Sequence, residues 1–321
     1  MGQQKDGQGT SEGPRPISVR LAMEVLRGVA QVDFMPSAVC GMFFVAALFA
    51  GGRQYGVYGL LGSAVGTGVA YGLRLARDAV AAGLHGYNGC LVALSCVVFL
   101  RSGHPATVAV LGAAVSVVVA AGLGAVLDTW KLPPLTAPFC LVATATTVAA
   151  PGFRRLWRDA GTPAALPGPA TGPTGLTWEQ LWHGFFANVG QIFFLPQWYA
   201  GLLFLAGIFV ASRLAGLLAG AGSATGLATA WALGAPAEAV GQGLLGYSGV
   251  LVAMALCGVF VAPGGWSAAY AVLGAAGATV LTPALAAVAV PFGGHAFTWP
   301  FVLTTMLFLV AVPAIPRLRR I

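Results

Sequence analysis

The chain has 321 residues, of which 8% are charged and 58% hydrophobic, and its mean hydropathy is +0.83. Soluble domains carry about 25% charged residues, so an ordinary water-soluble enzyme is excluded, and disorder and nucleic-acid binding fall with it because both depend on charge. The net charge of +7 resides mostly in arginines at the ends of apolar runs and in the tails, which is the positive-inside bias of a polytopic membrane protein and calls for no acidic partner.

Residues 1–17 read as a polar, Gly/Pro-rich flexible tail without the apolar core of a cleavable signal. Gly2 follows Met1 as in a myristoylation signal, but position six is Asp6 rather than Ser or Thr, which discounts that reading. A first membrane block, 18–150, is expected to open with a short segment at 18–35, followed by spans near 37–52, 55–73, 79–100, 105–127 and 135–150. A linker rich in Pro, Gly and Thr occupies 151–178. The second block, 179–315, opens with a short segment at 179–195, continues with runs near 197–212, 214–234, 239–262, 266–291 and 297–315, and leads into a basic tail at 316–321. Several runs reach the roughly 20 residues a membrane helix needs. The two short segments are too short and too polar to cross lipid, and are expected to enter partway with protein around them. Cys40, Cys90, Cys96, Cys140 and Cys257 all lie in apolar runs with no metal-ligand spacing to a His, so they read as small core residues and no metal or cofactor is expected.

The two blocks read as copies. At an offset of 160, Gln31 falls on Gln191, Phe34 on Phe194, Pro36 on Pro196, Gly41 on Gly201, Tyr87 on Tyr247 and Leu91 on Leu251; at 162, Thr136 falls on Thr298 and Phe139 on Phe301. The expected fold class is an all-α polytopic membrane protein of two inverted homologous halves, each with five transmembrane helices plus one re-entrant half-helix. An odd number of spans per half inverts the second copy. Lys5, Arg15, Arg20 and Arg27 at one end and Arg317, Arg319 and Arg320 at the other place both termini in the cytoplasm of a cell-membrane protein. Arg154, Arg155 and Arg158 run against that assignment, because the inverted arrangement puts the linker outside.

Ionisable side chains inside a bilayer are costly and are functional candidates by default. Asp33 lies in the first short segment and is expected either to line a wet vestibule or to pair with an Arg; its counterpart is Phe193. Asp78, Asp128 and Glu238 stand at span boundaries, where solvation accounts for them. His85, His183 and His295 lie near segment ends and His104 in a loop, unmatched between the halves. The absence of an acidic or His relay argues against a proton pump, and the absence of a triad or metal set argues against an enzyme.

What repeats is neutral. Gln31 and Gln191 each offer an acceptor and two donors, and Thr136 and Thr298 add hydroxyls. Phe34, Phe194, Tyr87 and Tyr247 supply flat walls, with Leu91 and Leu251 one helical turn after the tyrosines. A slot with flat walls and oxygen acceptors along its edges selects a small planar solute rich in N–H groups and excludes hydrated ions. The Tyr and Leu are open to a second reading as core packing, and the Thr to one in which it bonds back to its own helix.

The series QV.F, HGYNGCLVAL and LPPLTAPF, repeated as QIFF, GYSGVL and FTWPF, resembles the urea transporter family over roughly 20–150 and 180–315. The resemblance implies ten membrane helices with two re-entrant half-helices, an inverted repeat, and a lipid-embedded homotrimer with a pore in each protomer. It implies passive, single-file passage of urea, with Gln31 and Gln191 as its polar ligands. On the same terms Phe34, Phe194, Tyr87 and Tyr247 are slot rings, Leu91 and Leu251 slot leucines, and Thr136 and Thr298 the central threonines. Two departures stand out: the turns after the short segments read MPSAVCG and LPQWYAG rather than Asn-rich, and Tyr in place of Phe adds a hydroxyl at the slot edge. Two other classes stay open, a channel for another small neutral solute (ammonia, water or a short amide) and an ion-coupled secondary transporter.

Overall fold

The apolar runs form helices, and each break falls where a proline, a glycine or a left-handed residue interrupts the hydrogen-bond ladder. The computed structural model describes residues 16–100, 105–156 and 166–321. Most of the N-terminal tail, with Lys5 and Arg15, and His104, Arg158 and Asp159 lie outside the described residues. Among the described residues all regular structure is helical apart from one isolated bridge, Val261 to Arg320.

The first half contains α1 (Ile17–Ala30), α2 (Ala38–Gly51), α3 (Arg53–Gly72), α4 (Arg77–Ala81), α5 (Tyr87–Phe99), α6 (Pro105–Asp128) and α7 (Ala137–Ala149). The second contains α8 (Trp178–Gly190), α9 (Trp198–Ala211), α10 (Arg213–Ala232), α11 (Ala237–Gly241), α12 (Tyr247–Met254), α13 (Gly265–Ala289) and α14 (Trp299–Ala311). The order of elements recurs from one half to the other, including a single 3₁₀ turn after α1 (Gln31–Asp33) and after α8 (Gln191–Phe193).

The runs at 79–100 and 239–262 are not single spans. Each divides into a five-residue helix and a separate one, joined by a turn through Gly83 (φ +83°) or Gly243 (φ +70°). At these positions a Cβ would press on the backbone at the end of α1 or α8, so the turn needs glycine both for its dihedral and for the close approach. Nor do ten uninterrupted spans appear. Among the described residues, α6 and α13 with its 3₁₀ extension are long and apolar enough to cross a bilayer alone, while α1–α2 and α8–α9 are broken pairs, each bent by 76°. At 1.5 Å per residue the 13-residue α5 spans only about 20 Å. These shorter helices depend on protein neighbours to shield their ends.

Within each half, α1 is tied to α3 and α8 to α10 through equivalent serines. Ser63 Oγ donates to the Val25 carbonyl at 2.8 Å, and Ser223 Oγ to the Phe185 carbonyl at 2.6 Å. Glu24, buried in α1, accepts from the Tyr71 hydroxyl at 2.8 Å, with Arg20 3.8 Å away. The halves meet along α2 and α9, where Phe44 and Phe204 cross edge-on at 4.9 Å and Phe193 stacks on Phe204 at 4.3 Å. Phe44 and Phe204 are counterparts at the 160 offset, so a residue here touches its own copy.

Lipid supplies no hydrophobic drive for helices to associate, so close approach at small residues matters more than in water. Gly41 and Gly201 are the contact points of α2 on α1 and of α9 on α8: a Cβ on either would enter the carbonyl oxygen of Leu26 or Phe186. Gly41→Ala and Gly201→Ala are expected to lower stability by about 1–3 kcal/mol, the usual cost of overpacking. Gly68→Ala and Gly122→Ala, with nothing within 4 Å of a new Cβ, are expected to leave it unchanged or higher. Thermal unfolding in detergent checks the contrast, and four coincident melting curves would refute it.

Candidate functional site

Two short corners in each half build the site. In the first, α1 passes into the Gln31–Asp33 turn and is closed by Phe34 at φ +62°, whose N–H donates to the Gln31 carbonyl at 3.1 Å, while the Met35 N–H reaches the Ala30 carbonyl at 3.1 Å. Phe194 does the same at φ +63°, with bonds of 3.0 and 3.1 Å. A left-handed helix stop ordinarily takes glycine. A bulky residue there costs of order 1–3 kcal/mol, and here it aims the ring into a cavity. Pro36 and Pro196 follow and prevent the helix from continuing.

The amide of Gln31 donates from Nε2 to the Ala82 carbonyl at 2.9 Å, and that of Gln191 to the Gln242 carbonyl at 2.9 Å. Both carbonyls lie at the turn after α4 or α11, where a helix has just ended. With one N–H of each amide so used, the amide oxygen and the second N–H are left to meet a solute.

The second corner lies just before α7 and α14. Leu135 (φ +50°) and Phe297 (φ +44°) are again left-handed, and their carbonyls accept from the Tyr87 hydroxyl at 2.6 Å and from the Tyr247 hydroxyl. The hydroxyl that Tyr adds therefore holds the backbone with its proton, leaving only its oxygen as an acceptor. Thr136 and Thr298 come next, at the N-caps of α7 and α14, yet neither caps its own helix. Their Oγ1 atoms lie 2.6 Å apart, and the Cys140 Sγ is 3.2 Å from that of Thr298. The reading in which each threonine bonds back to its helix is thereby replaced by a bond between counterparts. The first turn of α7 is satisfied elsewhere, its Phe139 N–H donating to Asn88 Oδ1 at 3.0 Å.

Two cavities result. One, of about 380 Å³, is lined by Gln31, Phe34, His85, Tyr87, Thr136, Phe260 and Phe301 among others. The other, of about 610 Å³, is lined by Phe99, Gln191, Phe194, Tyr247, His295, Phe297 and Thr298 among others. The hydroxyl pair belongs to both, one threonine to each. α5 and α12 run between the cavities in opposite senses: Tyr87 at the start of α5 lines the first and Phe99 at its end the second, while Tyr247 starts α12 in the second and Phe260, just past the end of α12, lines the first.

Eight of the ten residues singled out from the sequence thus line the cavities. Leu91 and Leu251 do not: both are fully buried in the core. Tyr87 and Tyr247 are the first residues of their helices, with rings at the helix end, and one turn on the same stripe is already inside the bundle. The leucines on the walls are Leu84 and Leu135 in the first cavity and Leu244 and Leu245 in the second. Asp33 neither lines a vestibule nor pairs with an Arg; it is fully buried with no hydrogen-bond partner on either oxygen. Four wall rings were missed: Phe301, Phe297, Phe260 and Phe99. Phe301, 6.0 Å from Phe34, had a signal, since it closes the repeated TWPF motif; its counterpart Phe139, 6.1 Å from Phe194, is fully buried and lines neither cavity. Phe260, 5.9 Å from Phe34, and Phe99, 5.3 Å from Phe194, had none, because they match at neither offset. His85 and His295 occupy one cavity each although their positions do not correspond.

A family profile described as "Urea transporter" matches residues 22–313. The chain belongs to the urea transporter family. Similar proteins include Urea transporter 1 of Ovis aries, 29% identical over 316 residues that cover 95% of this chain and 80% of that protein. Urea transporter 1 of Rattus norvegicus is 29% identical over 320 residues, covering 95% and 81%. Membership makes the chain a membrane transport protein and not an enzyme, in keeping with its apolar helices.

Tyr87→Phe and Tyr247→Phe each leave a carbonyl at a left-handed corner without its donor. Each is expected to lower stability by about 1–3 kcal/mol, the cost of an orphaned buried acceptor. Wild-type melting in both variants would show that these hydroxyls do not hold the corners.

Proposed function

We propose that the chain is a passive, channel-like pathway for urea, in which the two cavities are opposite mouths of one route through the Thr136–Thr298 pair. The observation that carries this reading is the meeting of two counterpart hydroxyls between two cavities furnished alike: an amide oxygen, a phenylalanine at a left-handed helix stop, and a carbonyl held by a tyrosine.

Urea is flat and carries four N–H bonds and one carbonyl, so it must exchange water for acceptors along the route. Gln31 and Gln191 supply an acceptor at each mouth, the rings of Phe34 and Phe194 with Tyr87 and Tyr247 flank it, and the threonines supply hydroxyls midway. The bond between the threonines is not a serious barrier. A neutral hydrogen bond is worth about 0.5–1.5 kcal/mol net, and each hydroxyl exchanges it for a bond to the solute. A hydrated ion finds no charge of opposite sign to replace its shell and stays out. Leu91 and Leu251, in the core, serve as backing for the walls.

The halves, 18–150 and 179–315, are read as inverted copies of five membrane helices and one re-entrant segment each. The opposed courses of α5 and α12 support this. In this arrangement both termini are cytoplasmic and the protein resides in the cell membrane as a homotrimer with one route per protomer. The outward apolar surface of α6, with Leu111, Val115 and Val118 exposed, suits lipid or a neighbouring copy. Arg154 and Arg155 then lie outside, against the usual charge bias.

The test is stopped-flow urea permeability of reconstituted protein beside formamide, acetamide and glycerol. Thr136→Val and Thr298→Val preserve shape and remove a hydroxyl. Each is expected to lower urea permeability about tenfold, the rate equivalent of about 1.4 kcal/mol. Wild-type flux in both would take the threonines off the route. Flux is expected to be indifferent to collapse of proton or sodium gradients, and its abolition by an uncoupler would favour a coupled transporter.

A further inference from the structure

The two mouths are not held in the same way. α5 runs unbroken to Phe99, whereas the backbone after α12 leaves the helical path at Cys257 (φ −140°, ψ 84°) and Gly258 (φ +128°). That break carries Phe260 over the first cavity, where its ring meets Phe34 edge-on at 5.9 Å. Backbone released from a helix needs other partners, and residues near 320 provide them. The Ala262 N–H donates to the Arg319 carbonyl at 2.9 Å, the Ile321 N–H to the Phe260 carbonyl at 3.0 Å, and Val261 pairs antiparallel with Arg320.

The same segment reaches the other wall. The Arg320 guanidinium donates to the Lys131 carbonyl, two residues before Pro133, which lines the first cavity with Pro134. Arg317 lies 4.1 Å over the Trp266 ring, and Leu318 packs against the core. Backbone bonds hold the Phe260 side, and one guanidinium holds the proline side.

We propose that residues 317–321 are a strap across the first mouth that fixes the Phe260 ring, making Phe260 a size-selecting wall and Arg320 a positioning residue. Among the described residues no equivalent strap crosses the second mouth, where Phe99 is held by its own helix. This rests on the reading of the first cavity as one end of the urea route. Discrimination against a solute larger by one methyl group is then set at this mouth, and a slackened strap admits such a solute while urea, already small enough, gains little.

The experiment compares N-methylurea with urea permeability for the full chain in liposomes. Arg320→Ala is expected to raise the N-methylurea to urea ratio by roughly tenfold, the low end of what one methyl group commands in an apolar pocket. Arg320→Lys, which still offers a donor to the Lys131 carbonyl, is expected to restore much of the wild-type ratio. Ile321→Pro removes the N–H that the Phe260 carbonyl accepts, and is expected to raise the ratio with no change in charge. In a Phe260→Ala background, Arg320→Ala is expected to have no further effect, since a residue acting through the ring has nothing left to act on. Wild-type ratios in both Arg320→Ala and Ile321→Pro, or full additivity with Phe260→Ala, would overturn the strap. A wild-type protein that conducts no urea would strike the proposed function instead, so the two failures are distinguishable.

Discussion

A helix that breaks inside a bilayer frees backbone groups that have no water to turn to, and the site is organised around that constraint. The carbonyls released after α4 are taken by Arg27, which donates to Ala81 at 2.8 Å, and by Gln31, which donates to Ala82. Those at the left-handed corners are taken by Tyr87 and Tyr247, and an N–H at the start of α7 is taken by Asn88. Four of the side chains that furnish the cavities, Gln31, Gln191, Tyr87 and Tyr247, are therefore also ones that make the breaks tolerable. On the proposed route structure and function share the same hydrogen bonds, so each half needs polar residues but almost no charge.

Much of this was legible in the sequence because duplication marks what composition conceals. In a chain so rich in Gly, Ala and Val, a single Gln or Thr carries little information, but Gln31 with Gln191 and Thr136 with Thr298 stood out at a constant spacing. What could not be read was how the backbone turns. The run at 79–100 looks continuous because Gly83 is as apolar as its neighbours, and only its positive φ breaks the helix. The left-handed stop at Phe34 carries no glycine to announce it. Leu91 shares a helical stripe with Tyr87, but one turn into α5 that stripe has already entered the core. Phe260 escaped notice because the break at Cys257 and Gly258 is peculiar to the second half.

Asp33 shows where the copies have drifted. Its position is held by Phe193 in the other half, where the ring stacks within the α2–α9 contact. A fully buried carboxyl with no partner is costly in its charged form, and Asp33 lines neither cavity. The difference stands beside pairs in which counterparts still meet, Phe44 with Phe204 and Thr136 with Thr298.

That central pairing of hydroxyls bears on pharmacology. On the proposed route, an inhibitor slim enough to lodge between Thr136 and Thr298 meets the same pair of hydroxyls whichever side of the membrane it is applied to, so it has no sidedness. On that route a bulkier blocker stops at the rings instead, Phe260 at one mouth and Phe99 at the other, and because these are mounted on different scaffolds they offer distinct targets for compounds meant to act from one compartment only.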